Sequence, residues 1–444
     1  MLQCHDGRLG VATAVAIQQT GHNDNYSDLH HPQVACSIFR LYEEEYVNAL
    51  EAIYAVIDMV PNWYLADTGP VHYDLECGGT RVDFWGHRPP TPWLTEFLRT
   101  VRRGLPAVIS RLDPFPTTVA VDLLQEHFAL EWLRVSAPAV NWQRVLDYSR
   151  QTLQRTYENA EIAFNLVIRE AIGTELITEP SIQKILDPLG ASLRTYFQVD
   201  RQCRYHSYHE IAWRDIYDGG EYEFAPEFLR PFTCILQQGE YSVHQTVRGD
   251  LIILNQDGLL AAKRKGRWKI YDVATLKNSI TEAIGAYRVG ANLFEICFDL
   301  SFRRHGALLV YDPEHRVLPH ITNPESRVDD PGRGDLARRM FRDAVHDIAM
   351  GATERDARKK LRFLEIASVD GAVIFDDNNV LAFGAMIRTH PLTPGDVGAR
   401  STAAASAFLY GGIPIKISSD GEICIIFHST DVNGRSARAK LEFL

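Results

Sequence analysis

The chain is 444 residues long, enough for two or three domains, and its 45% hydrophobic and 23% charged residues are the composition of a globular protein with a sizeable core. A formal net charge of -11 excludes a protein whose main business is coating nucleic acid, because neutralising phosphates needs a basic surface, although a small anionic ligand can still be held by local positive dipoles. No apolar run reaches the roughly 18 residues of a membrane span, and Asp6 and Arg8 stand where a secretory signal would be apolar, so the sequence reads as cytoplasmic.

In chain order, residues 1–230 read as mainly helical. Leu41 to Met59 is apolar at Val47, Leu50, Ile53 and Ile57 and is closed by Pro61. Asp83-Phe-Trp-Gly-His-Arg-Pro-Pro-Thr-Pro92 reads as a proline-rich aromatic connection. From Asn141, an expected N-cap, to Gly173, the residues Leu146, Leu153, Tyr157, Ala160, Phe164, Val167 and Ala171 recur at helical spacings, which predicts one long helix. Residues 231–274 turn β-rich: Tyr241 to Val247, Leu251 to Leu254, a turn at Asn255 to Gly258, and Trp268 to Tyr271 predict an antiparallel meander.

Residues 275–444 read as an α/β mixed-sheet domain. Thr275 to Phe302 is helical by period, and Gly306 to Tyr311 is a buried strand. A helix over Leu336 to Met350, strands around Asp370 to Ile387, a small-residue helix Thr402 to Leu409, and strands Ile413 to Ile417 and Ile423 to Phe427 complete it. The expected fold class is α+β multidomain.

The seven cysteines are scattered and form no C-x-x-C pair, which points to buried free thiols rather than a disulfide framework or a zinc ribbon. Cys203-x-x-His206-x-x-His209-Glu210 is the densest group of metal-ligand types, but its spacing is not a zinc pattern, and Tyr205, Tyr208 and Trp213 favour a packed aromatic helix. His30-His31 reads as a solvated loop, and Asp329-Asp-Pro-Gly-Arg-Gly334 as turn residues.

Gly398-Ala-Arg-Ser-Thr-Ala-Ala-Ala-Ser406 has another character: glycine, one cation and two hydroxyls precede an alanine-rich helix. A helix N-terminus offers unpaired N–H groups and a partial positive charge, so this order suits a phosphate. Taken alone, the segment is more simply read as a helix capped by Ser401 or Thr402. Asp370 stands just ahead of Gly371, where it either contacts a ligand or closes a local Asx turn.

Arg304-His-Gly-Ala-Leu-Leu-Val310, Leu318-Pro-His-Ile321, Asp370-Gly-Ala-Val-Ile374 with Val380-Leu-Ala-Phe-Gly384, Gly398-Ala-Arg400 and Ile415-Lys-Ile-Ser-Ser-Asp-Gly-Glu-Ile423 follow one another in a layout that resembles the diadenylate cyclase domain. The resemblance covers Thr275 to Leu444. It implies binding of ATP, with two facing subunits condensing two ATP into cyclic di-AMP, and hence a homo-oligomer. It implies a catalytic Asp370 that also holds Mg2+ or Mn2+, and nucleotide contacts from Gly371, Ala372, Gly398, Ala399, Arg400, Ser401, Thr402 and Ser418. The family's phosphate motif, Gly-Thr-Arg-His-Arg, is altered here: Ser401 replaces His and Thr402 replaces the second Arg, so two donors become neutral hydroxyls. Its Ser-Glu-Glu stretch becomes Ser418-Ser419-Asp420.

Three readings follow. The first is a sensor of an adenine nucleotide or cyclic dinucleotide, in signalling or defence, with little cyclisation. The second is an active diadenylate cyclase. The third is an interaction module with an empty pocket, whose helical N-terminal region binds a protein partner. None involves nucleic acid or a membrane.

Overall fold

A computed structural model of the chain describes residues 35–37, 71–77, 80–86, 117–190, 192, 194–212, 223–328, 357–393, 398–430 and 436–443. These residues form an α+β multidomain fold, and they divide into two units at Val273/Ala274. The expected helices at Leu41 to Met59 and Leu336 to Met350, His30-His31, and Asp329 to Gly334 lie outside the described residues.

The first unit opens with three strands, β1 (Ala35–Ser37), β2 (Val71–Cys77) and β3 (Thr80–Gly86), in an antiparallel sheet of order β1-β3-β2. Asp83 to Gly86 thus belong to a strand rather than to the expected connection. Helices α1 (Thr117–Ser136) and α2 (Trp142–Leu153) follow. Asn141 caps α2 as expected, its side chain accepting the Arg144 N–H at 3.3 Å.

The expected helix from Asn141 to Gly173 ends at Leu153. Glu158 and Asn159 both take positive φ and join the two-residue strands β4 (Thr156–Tyr157) and β5 (Ala160–Glu161), the backbone that a tight hairpin turn requires. Phe-Asn-Leu-Val-Ile is then a strand, β6 (Phe164–Ile168), buried at every position. A strand covered on both faces shows no alternation, so its apolar run also satisfied a helical template.

Helix α3 (Pro180–Leu189) crosses over to β7 (Thr195–Val199), which is parallel to β6, and β8 (Tyr205–Glu210) pairs antiparallel with β7. Tyr205 to Glu210 is therefore a strand and not a packed helix, alternately half-buried and exposed along its length. A short α4 (Arg230–Thr233) leads into the meander β9 (Tyr241–Gln245), β10 (Leu251–Asn255), β11 (Gly258–Arg264) and β12 (Arg267–Ile270). These strands continue the same sheet through β9, giving seven strands in the order β12-β11-β10-β9-β6-β7-β8. Phe128, Leu133, Trp142, Val145 and Tyr148 from α1 and α2 pack on Leu166, Val243, Ile253 and Trp268.

Several buried positions in this sheet are polar, and Asn165, Ser242 and His244 form one group. His244 lies between Asn165 Oδ1 (2.8 Å, from Nδ1) and Ser242 Oγ (2.8 Å, from Nε2), and Asn165 Nδ2 donates to the carbonyls of Ser192 and Thr195. Because Asn165 Oδ1 can only accept, the imidazole proton sits on Nδ1 and Nε2 accepts from Ser242. The group is saturated and closed to solvent.

The second unit begins with α5 (Val273–Ile284) and α6 (Tyr287–Arg303). The single helix expected over Thr275 to Phe302 is broken at Gly285, whose φ is +74°, a left-handed residue that ends a helix. Then come β13 (Ala307–Tyr311), α7 (Ala357–Ala367), β14 (Ala372–Phe375), β15 (Val380–Ala385), α8 (Ala399–Leu409), β16 (Ile413–Ile417), β17 (Ile423–Thr430) and β18 (Ser436–Phe443). The six strands are ordered β15-β14-β13-β16-β17-β18, parallel only between β13 and β14. Ala404 and Ala407 of α8 pack against Leu308, Val310, Ile374 and Leu381 on one face. Phe363 of α7 meets Phe375 edge-on, and since Phe375 alternates with Ile374 it covers the other face. Alanines on α8 let the helix lie close to the sheet.

Candidate functional site

The register of the second sheet gathers the sequence-derived residues at one end. Leu308 lies opposite Ala372 on one side and Lys416 on the other. Gly306, Asp370-Gly371 and Ser418 therefore sit just beyond the same edge of three adjacent strands. The N-terminus of α8 reaches that edge too: Lys416 Nζ donates to Ser401 Oγ at 3.3 Å, and Arg400 Nη2 is 3.6 Å from Asp370 Oδ1.

α8 starts at Ala399, and its N-cap is Gly398, with no side-chain cap hydrogen bond. Ser401 and Thr402 lie inside the first turn and do not cap the helix, which corrects the simpler reading of this segment. Gly398 brings no side chain to cap the positive end of α8.

Asp370 is held by backbone constraint. Gly371 has φ +105°, and a Cβ there would lie 2.4 Å from the Gly384 carbonyl carbon. Gly384 itself has φ +61°. The two glycines let β14 and β15 close around an irregular register and project Asp370 outward, its side chain 94% exposed. The carboxylate accepts no N–H from the turn; its partner is Arg400. Ala372, by contrast, is buried in the core beneath α8, so its side chain does not reach the surface.

Ser418 organises the β16–β17 turn. Its Oγ accepts the N–H groups of Asp420 (3.2 Å) and Glu422 (3.1 Å), which leaves only its hydroxyl hydrogen to offer a ligand.

Two residues of this edge escape the sequence reading. Lys416, a cation in the middle of the apolar run Ile-Pro-Ile-Lys-Ile, is half-buried and has the Ser401 hydroxyl as its hydrogen-bond partner; its interruption of the strand pattern was the available signal. Gly306 is the other. A Cβ there would lie 2.2 Å from Arg400 Nη1, so the guanidinium crosses directly over the glycine backbone on its way to Asp370. Arg400 and Lys416 both reach the N-terminus of α8, and the helix end adds further positive potential. Chemically, this edge suits an anion with more than one charged oxygen.

For a divalent cation the protein's donor set is small. Among the described residues no group of three or more His, Cys, Asp or Glu is placed to hold a metal, and Asp370 is the one carboxylate at this edge that the resemblance assigns to one. Mg2+ accepts one protein carboxylate when phosphates and water complete its shell.

Elsewhere, Cys203 does not behave as a metal ligand. Its buried S–H points at the Asn141 carbonyl, and burial, with Asp200 adding to it, pushes the thiol up to about 12. No helix among the described residues is long and apolar enough to cross a membrane.

No family model matches the chain, and no curated protein matches it. Among solved structures it is similar to a double cysteine mutant of DacA from Staphylococcus aureus, at 17% identity and a TM-score of 0.19, over 33% of this chain and 83% of that one. It is also similar to a hypothetical membrane spanning protein from Bacillus cereus, at 16% identity and a TM-score of 0.21, over 39% of this chain and 76% of that one.

Proposed function

We propose that the C-terminal unit is a diverged diadenylate-cyclase-like domain that binds ATP or a cyclic adenine dinucleotide through its phosphates at the first turn of α8. It acts as a nucleotide sensor in signalling or defence. The observation that carries this reading is the placement of Lys416 and Arg400 together at the uncapped positive end of α8. Two cations there repel each other and the helix dipole, at a cost on the order of 0.3–1 kcal/mol each. A bound phosphate reverses the sign of both terms.

Sensing is favoured over cyclisation because Ser401 and Thr402 bring neutral hydroxyls where developing charge would need cationic donors. A divalent ion, in this reading, arrives with the nucleotide and is held jointly by phosphate oxygens and Asp370; bound there, it would neutralise phosphate charge. The resemblance also carries over a homo-oligomer with facing sites.

A second reading, an active cyclase, draws on the exposed carboxylate of Asp370. Incubation with ATP and Mg2+ or Mn2+ separates the two. Accumulation of a cyclic dinucleotide that Asp370→Asn abolishes would establish the enzyme, whereas the sensor returns intact nucleotide, identified by mass spectrometry of the released ligand. A chain that neither retains nor binds nucleotide would leave an interaction module.

Gly398→Asp tests the site by opposing signs. A Cβ at Gly398 meets nothing within 4 Å, and its φ of -56° and ψ of 158° accept an N-capping side chain. The carboxylate should cap α8 and stabilise the empty protein by about 0.5–1 kcal/mol, while filling the anion position and weakening ATP binding at least tenfold. A variant that is stabilised and still binds ATP normally places the phosphates elsewhere.

A further inference from the structure

The Cys203-x-x-His206-x-x-His209 run keeps a second feature after Cys203 is removed from it. β8 is the last strand of its sheet, and His206 has no partner on β7: Val199 pairs with Tyr205 and Gln198 with Ser207. His206 is thus the extra residue of a β-bulge, which re-aims the side chain it carries. Strict alternation would place His206 and Ser207 on opposite faces. Instead, Ser207 Oγ lies 2.7 Å from His206 Nδ1 and 2.7 Å from His209 Nε2. Two imidazole nitrogens converge on one oxygen on the last strand of the sheet that the described residues form.

The second ring is fixed in place. His209 stacks on Tyr196 at 5.2 Å and 22°. Arg169 lies over the same Tyr196 ring, its charge offset by Glu240 at 3.0 Å.

We propose that His206 and His209, together with the Ser207 hydroxyl, form a binding site for a divalent transition-metal ion of the zinc, nickel or copper class. Imidazole suits those ions, and oxygen-preferring Mg2+ and Ca2+ are excluded by the same donor chemistry. The ion takes the lone pairs of His206 Nδ1 and His209 Nε2, which moves the His206 proton to Nε2, and water completes the shell. This site belongs to the first unit and stands apart from the nucleotide reading.

Titration of the intact chain with Zn2+, followed calorimetrically, tests it. The chain holds 16 histidines, so the decisive quantity is the difference between variants. His206→Ala and His209→Asn should each remove one zinc equivalent or weaken it at least tenfold. With Cu2+, the nitrogen hyperfine pattern of that equivalent should fall from two imidazoles to one in each variant. His206 is exposed, so its truncation leaves the fold intact. Unchanged stoichiometry and affinity in His206→Ala would overturn the assignment whatever the His209 variant does.

Discussion

Gly371→Ala is expected to destabilise the C-terminal unit by about 2–6 kcal/mol. Two terms add. A φ of +105° is strained for any residue with a Cβ, at about 1–3 kcal/mol. The new methyl would also lie 2.4 Å from the Gly384 carbonyl carbon, 2.7 Å from its oxygen and 2.8 Å from its Cα, and all of these are backbone atoms that can retreat only by opening the β14–β15 pair, at about 1–3 kcal/mol more. Thermal unfolding of the unit's own transition, separated from that of the first unit, measures the loss. Gly398→Ala is the comparison, since its methyl meets open space and should cost no more than a weakened N-cap. Equal melting of the two variants would mean that Asp370 is not held by the glycine pair.

Acid should unfold the first unit through His244. Burial pushes this imidazole down to about 3 from an ordinary 6.5, so below pH 6.5 the unfolded chain binds a proton that the native protein refuses. The stability this group contributes is complete above pH 6.5 and is lost as pH falls toward 3, at up to about 1.4 kcal/mol per pH unit and about 5 kcal/mol in all. His244→Gln should be less stable at neutral pH by about 1–3 kcal/mol, because Asn165 and Ser242 lose a well-placed partner. Its stability should nevertheless decline less steeply between pH 6 and 4. Equal acid slopes in the two proteins would place the titration elsewhere.

These two residues also illustrate what the sequence conveys. The glycine ahead of β14 and the turn-bounded apolar strands of the second unit are local features, visible as composition at fixed positions. The His244 cluster is not local: Asn165, Ser242 and His244 meet only because β6 and β9 pair. The same distinction explains the misread helix. Phe164 to Ile168 satisfied a 3.6-residue period because a doubly covered strand has no polar face to betray it, and only the Glu158-Asn159 turn, with an Asn suited to positive φ, marked the break. In β8 the period of two was present in Tyr205, Ser207 and His209 against His206, Tyr208 and Glu210, but aromatic content drew attention to packing instead. At the anion edge, Asp370 and Arg400 were found by motif. Lys416 and Gly306 lie within the same motifs but carry no motif signal of their role, because what matters in them is a contact across strands and not a spacing along the chain.

The nucleotide reading requires Arg400 and Lys416 to hold phosphate. Calorimetric titration of ATP with Mg2+ into the intact chain, into Arg400→Ala and into Lys416→Gln tests this most directly. Each substitution removes a hydrogen bond from a charged donor, and each is expected to weaken binding by about 1.5–3 kcal/mol, roughly 10- to 150-fold, with melting of the empty protein unchanged or slightly raised as the repulsion between the two cations is relieved. Equal ATP affinity in all three proteins would contradict the placement of the site, and no binding to the unaltered chain would contradict the nucleotide reading itself.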